Sequence, residues 1–175
     1  GIEFSVFVLT DGEEYVLMPI AKDYKRIGEG DKGLNTGGMG AISPVSFVDH
    51  VLMDKVKKRI IEPTIMGIKK RKLNYKGFIF FGLIKVNNDP FVIEYNCRLG
   101  DPETQVIIPR LKNDLIELFL AMHEGRLAKE IISIKRESAG TIVCASGGYP
   151  ESYKKGFYID GLEFIANSIV FHAGT

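Results

Sequence analysis

At 175 residues, with 45% hydrophobic and 26% charged side chains, the chain is sized for one or two domains around a real core. A formal net charge of +1 excludes a general pull toward nucleic acid or anionic membrane. No apolar run approaches the roughly 20 residues of a membrane-spanning helix, and Cys97 and Cys144 stand alone, as in reduced cytoplasmic proteins.

Residues 2–10 are rich in β formers and alternate imperfectly, Asp11-Gly12 reads as a hairpin turn, and Glu14 to Ala21 returns as a second strand. The hairpin delivers Lys22-Asp23-Tyr24-Lys25-Arg26 at its end. From Gly28 to Gly40 glycine is so dense that the stretch predicts a loop, whose bare backbone N–H groups can approach a phosphate or carboxylate. Gly28, Gly30 and Gly33 satisfy G-x-G-x-x-G, but no helix pattern follows, and the ending of a Walker loop is missing.

Ser46 with Asp49 predicts a capping box, and Val48, Val51, Leu52, Val56 and Ile60 follow helical spacing. Pro63 predicts a kink or split in this helix. The basic residues between Lys55 and Lys72 lack interleaved aromatics and read as a solvated helix face rather than a nucleic-acid surface. Gly77 to Val86 predicts a buried strand, turned by Asn87-Asn88-Asp89-Pro90 into the next strand of an antiparallel pair. Asp101-Pro102 opens a short helix through Leu111, and Asp114 with Glu117 starts another through Met122, stopped at Gly125. Lys129 to Glu137 reads as a crossing to a small unit. That unit has a buried strand at 141–145 and short β elements at 156–164 and 168–172. The chain opens and closes inside strand-like patterns, so it is expected to be part of a longer protein.

The chemistry concentrates in residues 91–105, Phe-Val-Ile-Glu-Tyr-Asn-Cys-Arg-Leu-Gly-Asp-Pro-Glu-Thr-Gln. Strand alternation puts Glu94, Asn96 and Arg98 on one face and Ile93, Tyr95 and Cys97 on the other, the expected core face. A carboxylate beside an amide oxygen suits Mg²⁺, which completes its shell with water and substrate phosphates. The guanidinium of Arg98 matches an oxyanion in two-pronged fashion. The three histidines show no zinc spacing, and nothing places a base beside either thiol. Carboxylates in the company of arginine, amide and glycine point to phosphoryl chemistry, which requires no protein nucleophile.

The run from Lys25 to Pro44 and the run from Ile93 to Gln105 resemble, nearly unbroken and in order, the signatures of phosphoribosylamine–glycine ligases of the ATP-grasp superfamily. Glu62-Pro63-Thr64 and Ser146 to Pro150 fit as well. The resemblance implies an α+β fold. Residues 1–130 would be the large ATP-grasp lobe, an antiparallel sheet with flanking helices, and residues 131–175 the start of a β-rich C-terminal domain. It also implies ATP-dependent joining of glycine to 5-phosphoribosylamine through glycyl phosphate, with Mg²⁺ or Mn²⁺, in the cytoplasm and without nucleic-acid or membrane partners.

Carried over by position, Glu94 and Asn96 are the metal ligands, and Arg98, Lys25 and Asp23 the catalytic group. Arg26, Asn35, Thr36, Gly37, Gly38, Gly40, Asp101, Glu103 and Thr104 are expected around substrate and phosphate. Gly82 stands where many ATP-grasp ligases place a further metal-binding Glu. Some relatives carry further purine enzymes on the same chain. This 175-residue piece, without the rest of the nucleotide clamp, is expected to be inactive alone. The rival reading from another class is a non-catalytic phosphate- and metal-binding module on the same scaffold.

Overall fold

The computed structural model describes all residues, Gly1–Thr175. Two antiparallel sheets carry the chain. The first has the order β2(Tyr15–Leu17), β1(Ile2–Thr10), β5(Gly77–Val86), β6(Asp89–Asn96). The second has the order β3(Lys22–Gly28), β4(Lys32–Ser43), β7(Ala139–Ile142). The imperfect alternation of β1 has a physical cause: the strand is buried on both faces. Phe4, Val6 and Val8 enter one core cluster with Ile79, Phe81 and Leu83 of β5, while Phe7 and Leu9 enter a second with Phe80.

The first cluster is roofed by helix α1(His50–Val56), a π-turn (Lys57–Ile61) and α2(Glu62–Lys70), which contribute Leu52, Val56, Ile60, Ile61 and Ile65. Asp49, not Ser46, caps α1, accepting the Leu52 N–H at 2.8 Å. The wide turn falls immediately before Pro63, where the missing N–H and the ring disturb the regular ladder. Val51 faces solvent, and Lys55 and Arg59 pair with Asp89 at 2.9 and 2.8 Å, so this basic face is solvated as expected.

The second cluster lies between the other face of the first sheet, β4, and the helices α3(Thr104–Ile107) and α4(Leu115–His123). Asp114 caps α4 by accepting the N–H groups of Ile116 and Glu117, and Gly125 ends it at φ +69°. The crossing segment is bound back onto the body. Arg110, 7% exposed, donates to Ser43 Oγ and to the Lys135 and Glu137 carbonyls.

Four expectations need correction. The Gly28–Gly40 stretch is a β-hairpin rather than a loop, because β3 and β4 pair across it. Ile93, Tyr95 and Cys97 do not enter a buried core: β6 is an edge strand, and Ile93 and Tyr95 are about half exposed. Tyr95 does lie against Phe81, so the facing was right and the burial wrong. The strand predicted at 141–145 runs over Ala139–Ile142 and is not buried, with Ile142 86% exposed. Residues 156–164 and 168–172 form no strands, since nothing pairs with their backbone; only a 3₁₀ turn at Leu162–Phe164 forms there.

Candidate active site

The site is built on the sheet face that meets the β3–β4 hairpin. Ser5 of β1, Gly82 of β5 and Glu94 of β6 are cross-strand partners, so they stand in one row. Asn96, opposite Phe80, follows two positions along the same face. The Asn96 amide nitrogen donates to Glu94 Oε1 at 3.0 Å, so the two side chains lie together rather than apart. The chemistry of this donor set fits a small divalent cation: hard oxygens, no sulfur or imidazole, and only two protein groups. No cluster of three His, Cys, Asp or Glu side chains competes for that role.

One step along the same row, Ser5 Oγ donates to Glu103 Oε1 at 2.9 Å. Ser5 and Glu103 are 2% and 3% exposed, so this bond is sealed from water. Lys25 Nζ sits 2.6 Å from buried Asp23 and 3.5 Å from Glu3. Burial and the neighbouring Asp23 carboxylate push the Glu103 carboxyl up, against the opposing pull of Ser5 and Lys25. Burial draws the Lys25 ammonium down, but the Asp23 hydrogen bond and the surrounding carboxylates outweigh it, so Lys25 titrates above its ordinary range. Lys25 is therefore a fixed cation at neutral pH.

A cleft of about 390 Å³ opens beside this cluster, lined by Glu3, Asp23, Lys25, Arg26 and Asn35 among others. Four of the residues expected from sequence thus share one cavity, while Glu94 and Asn96 lie outside its lining. Thr36 accepts the Gly38 N–H at 3.0 Å and donates to the Lys25 carbonyl at 2.8 Å, fixing the hairpin that carries Lys25. Gly38, at φ +134°, presses against Pro102, and a Cβ there would overlap the proline ring. This close approach joins the two motifs in space. Gly40 leaves room for the Thr141 carbonyl of β7, and Gly37 lies beside the Tyr149 hydroxyl.

Other expected residues are engaged locally. Arg26 donates to the Gly33 carbonyl at 2.7 Å, Asp101 accepts from Gln105 at 2.8 Å, and Thr104 donates to the Gly100 carbonyl. Arg98 lies in the bend after β6 and donates to the Leu99 carbonyl at 2.8 Å, so its guanidinium does not meet Glu94. Sequence reasoning missed Glu3 and Ser5. Their only signal was a pair of polar residues at alternate positions of an otherwise apolar strand.

Antiparallel sheets flanked by a few helices in this arrangement define an ATP-grasp protein. An L-amino acid ligase from Bacillus licheniformis shares the fold at TM-score 0.57 and 18% identity, over 85% of this chain and 36% of that one. The family model for the phosphoribosylglycinamide synthetase ATP-grasp (A) domain matches residues 1–104, and the chain belongs to that family. It is 46% identical to the phosphoribosylamine–glycine ligase of Chlorobaculum tepidum, over all of this chain and 42% of that protein. It is 47% identical to a bifunctional purine biosynthetic protein of Pichia angusta, over all of this chain and 23% of that protein. The crystal structure of the Thermotoga maritima phosphoribosylamine–glycine ligase superposes at TM-score 0.80 and 35% identity, covering 89% of this chain and 39% of that one. The chain thus spans less than half the length of these relatives. No helix is long and apolar enough to cross a membrane.

Proposed function

We propose that this chain is the large-lobe part of an enzyme that joins glycine to 5-phosphoribosylamine, consuming ATP and giving glycinamide ribonucleotide, ADP and phosphate. In this reading the glycine carboxylate attacks the γ-phosphorus and ADP leaves. The amine of phosphoribosylamine then attacks the acyl carbon of glycyl phosphate, and inorganic phosphate leaves. The observation that carries the reading is the convergence of the two motifs: the Gly38–Pro102 contact and the Ser5–Glu103 bond draw Asp23 and Lys25 toward the face bearing Glu94 and Asn96.

Within that reading each residue has a physical task. Glu94 and Asn96 hold Mg²⁺ or Mn²⁺, which when bound neutralises charge on the nucleotide phosphates. Lys25 presents a fixed ammonium to substrate oxyanions, while Asp23 and Glu3 set its direction. Arg98, once released from the Leu99 carbonyl, offers its fork to the transferring phosphoryl group. Asn35, Thr36 and the glycines of β4 shape the floor against which substrate lies. Residues 1–130 form the large lobe, and residues 131–175 are attached to it through β7, which pairs with β4. The polypeptide works in the cytoplasm, and the Pichia relative's name supports fusion to a further purine enzyme as one form of the full chain.

The test is ADP and phosphate release by the full-length protein with glycine and phosphoribosylamine supplied together and separately. Turnover that needs both and disappears in Glu94→Ala supports the reading. Metal-dependent nucleotide binding without turnover would instead establish a non-catalytic module. This 175-residue piece alone is expected to show no turnover.

A further inference from the structure

Gly82 is the direct cross-strand partner of Glu94, and a Cβ built on it would lie 2.8 Å from Glu94 Cγ. Such a separation is well inside van der Waals contact, and Phe80 closes the other side at 3.4 Å. The Glu94 stem therefore lies across the bare backbone of β5 instead of standing off the edge strand. The ladder also slips here: Gly82 pairs with Glu94 but Leu83 pairs with Val92, leaving Ile93 as an extra residue on β6. A bulge of this kind bends its strand and re-aims the neighbouring side chain. Gly82 takes an ordinary strand conformation, so its backbone angles do not demand glycine. The space taken by Glu94 does.

We infer that Gly82 is a positioning residue. The absent side chain lets the Glu94 carboxylate fold inward to meet Asn96, and the Ile93 bulge fixes that aim. This inference rests on the reading of Glu94 and Asn96 as metal ligands. A merely structural glycine would weaken the strand whatever occupied position 94. A positioning glycine makes the penalty depend on Glu94.

The experiment uses the full-length protein with Gly82→Ala, Glu94→Ala and the double variant. Mn²⁺ alone is titrated while electron paramagnetic resonance reports the free ion, and thermal unfolding is followed without metal. Gly82→Ala should weaken Mn²⁺ binding roughly 10–100-fold, as loss of a group that orients a metal ligand does. Its melting temperature should fall, and the double variant should recover most of that fall, because removing the Glu94 stem removes the clash. Loss of Mn²⁺ binding in Glu94→Ala with none in Gly82→Ala would overturn the inference while leaving the ligand assignment intact. Unchanged binding in Glu94→Ala would overturn the ligand assignment itself. Equal melting losses for Gly82→Ala in the presence and absence of Glu94 would show a strand defect only, and would also overturn the inference.

Discussion

Replacing Ser5 with alanine removes the one side-chain donor to Glu103, a carboxylate 3% exposed and bonded at 2.9 Å. A hydrogen bond to a charged group contributes about 1.5–3 kcal/mol, and nearly the whole value applies where water cannot replace the lost donor. For a chain of this size that corresponds to a fall of roughly 3–12 °C in Tm. The loss should depend on pH with a definite sign. Folded Glu103 binds its proton at higher pH than its ordinary value of 4.5, so its ionisation removes stability as pH rises through the folded pKa. Ser5 bonds the charged form and lessens that cost. The Ser5→Ala deficit is therefore largest at neutral pH and shrinks as pH falls toward 4.5. Urea unfolding of both proteins at neutral and mildly acidic pH measures it. A neutral-pH loss below about 0.5 kcal/mol, the scale of an inconsequential surface change, would show that the Ser5–Glu103 bond does not stabilise the fold. A loss that does not change with pH would show that Ser5 does not favour the charged form of Glu103.

Gly38→Ala forces a side chain into the Pro102 ring at a backbone angle of +134°, and should cost about 2 kcal/mol or more in denaturant unfolding. Turnover of the full-length protein should fall with it, because this contact joins the two motifs. Arg110→Met strands the Lys135 and Glu137 carbonyls and removes the donor to Ser43 Oγ, whose hydroxyl keeps its bond to the Ile20 carbonyl. The expected cost is about 3 kcal/mol, seen as roughly hundredfold faster hydrogen exchange at the β7 amides. Asp114→Ala removes the acceptor for two N–H groups at the start of α4 and should cost about 1 kcal/mol, measured by the same unfolding assay.

The strands were legible where hydrophobic pattern and turn chemistry agreed, as at Gly77–Val86, the Asn87-Asn88 turn and the strand after it, which starts at Asp89, inside the predicted turn. The two asparagines adopt the left-handed conformations, φ 48° and 63°, that such a turn requires. The α4 cap at Asp114 and stop at Gly125 were equally plain. The glycine-rich stretch misled because glycine is read as freedom, whereas here it serves close approach: Gly38 to Pro102 and Gly40 to the Thr141 carbonyl. Periodicity gave the facing of Tyr95 but not its burial, since position at a sheet edge is a property of topology. Glu94 and Asn96 were readable from parity along one strand. Ser5 was not, because its partner Glu103 lies 98 residues away and only the folded sheet brings them together.

We propose that a divalent cation sits between Glu94 and Asn96, facing nucleotide phosphates. A crystal structure of the full-length protein with Mg²⁺ and a non-hydrolysable ATP analogue tests it most directly. The cation should be bound by a Glu94 carboxylate oxygen and the Asn96 amide oxygen at about 2.0–2.1 Å, with phosphate oxygens completing its shell. A cation held by other side chains, with Glu94 and Asn96 bonded only to each other, would contradict it.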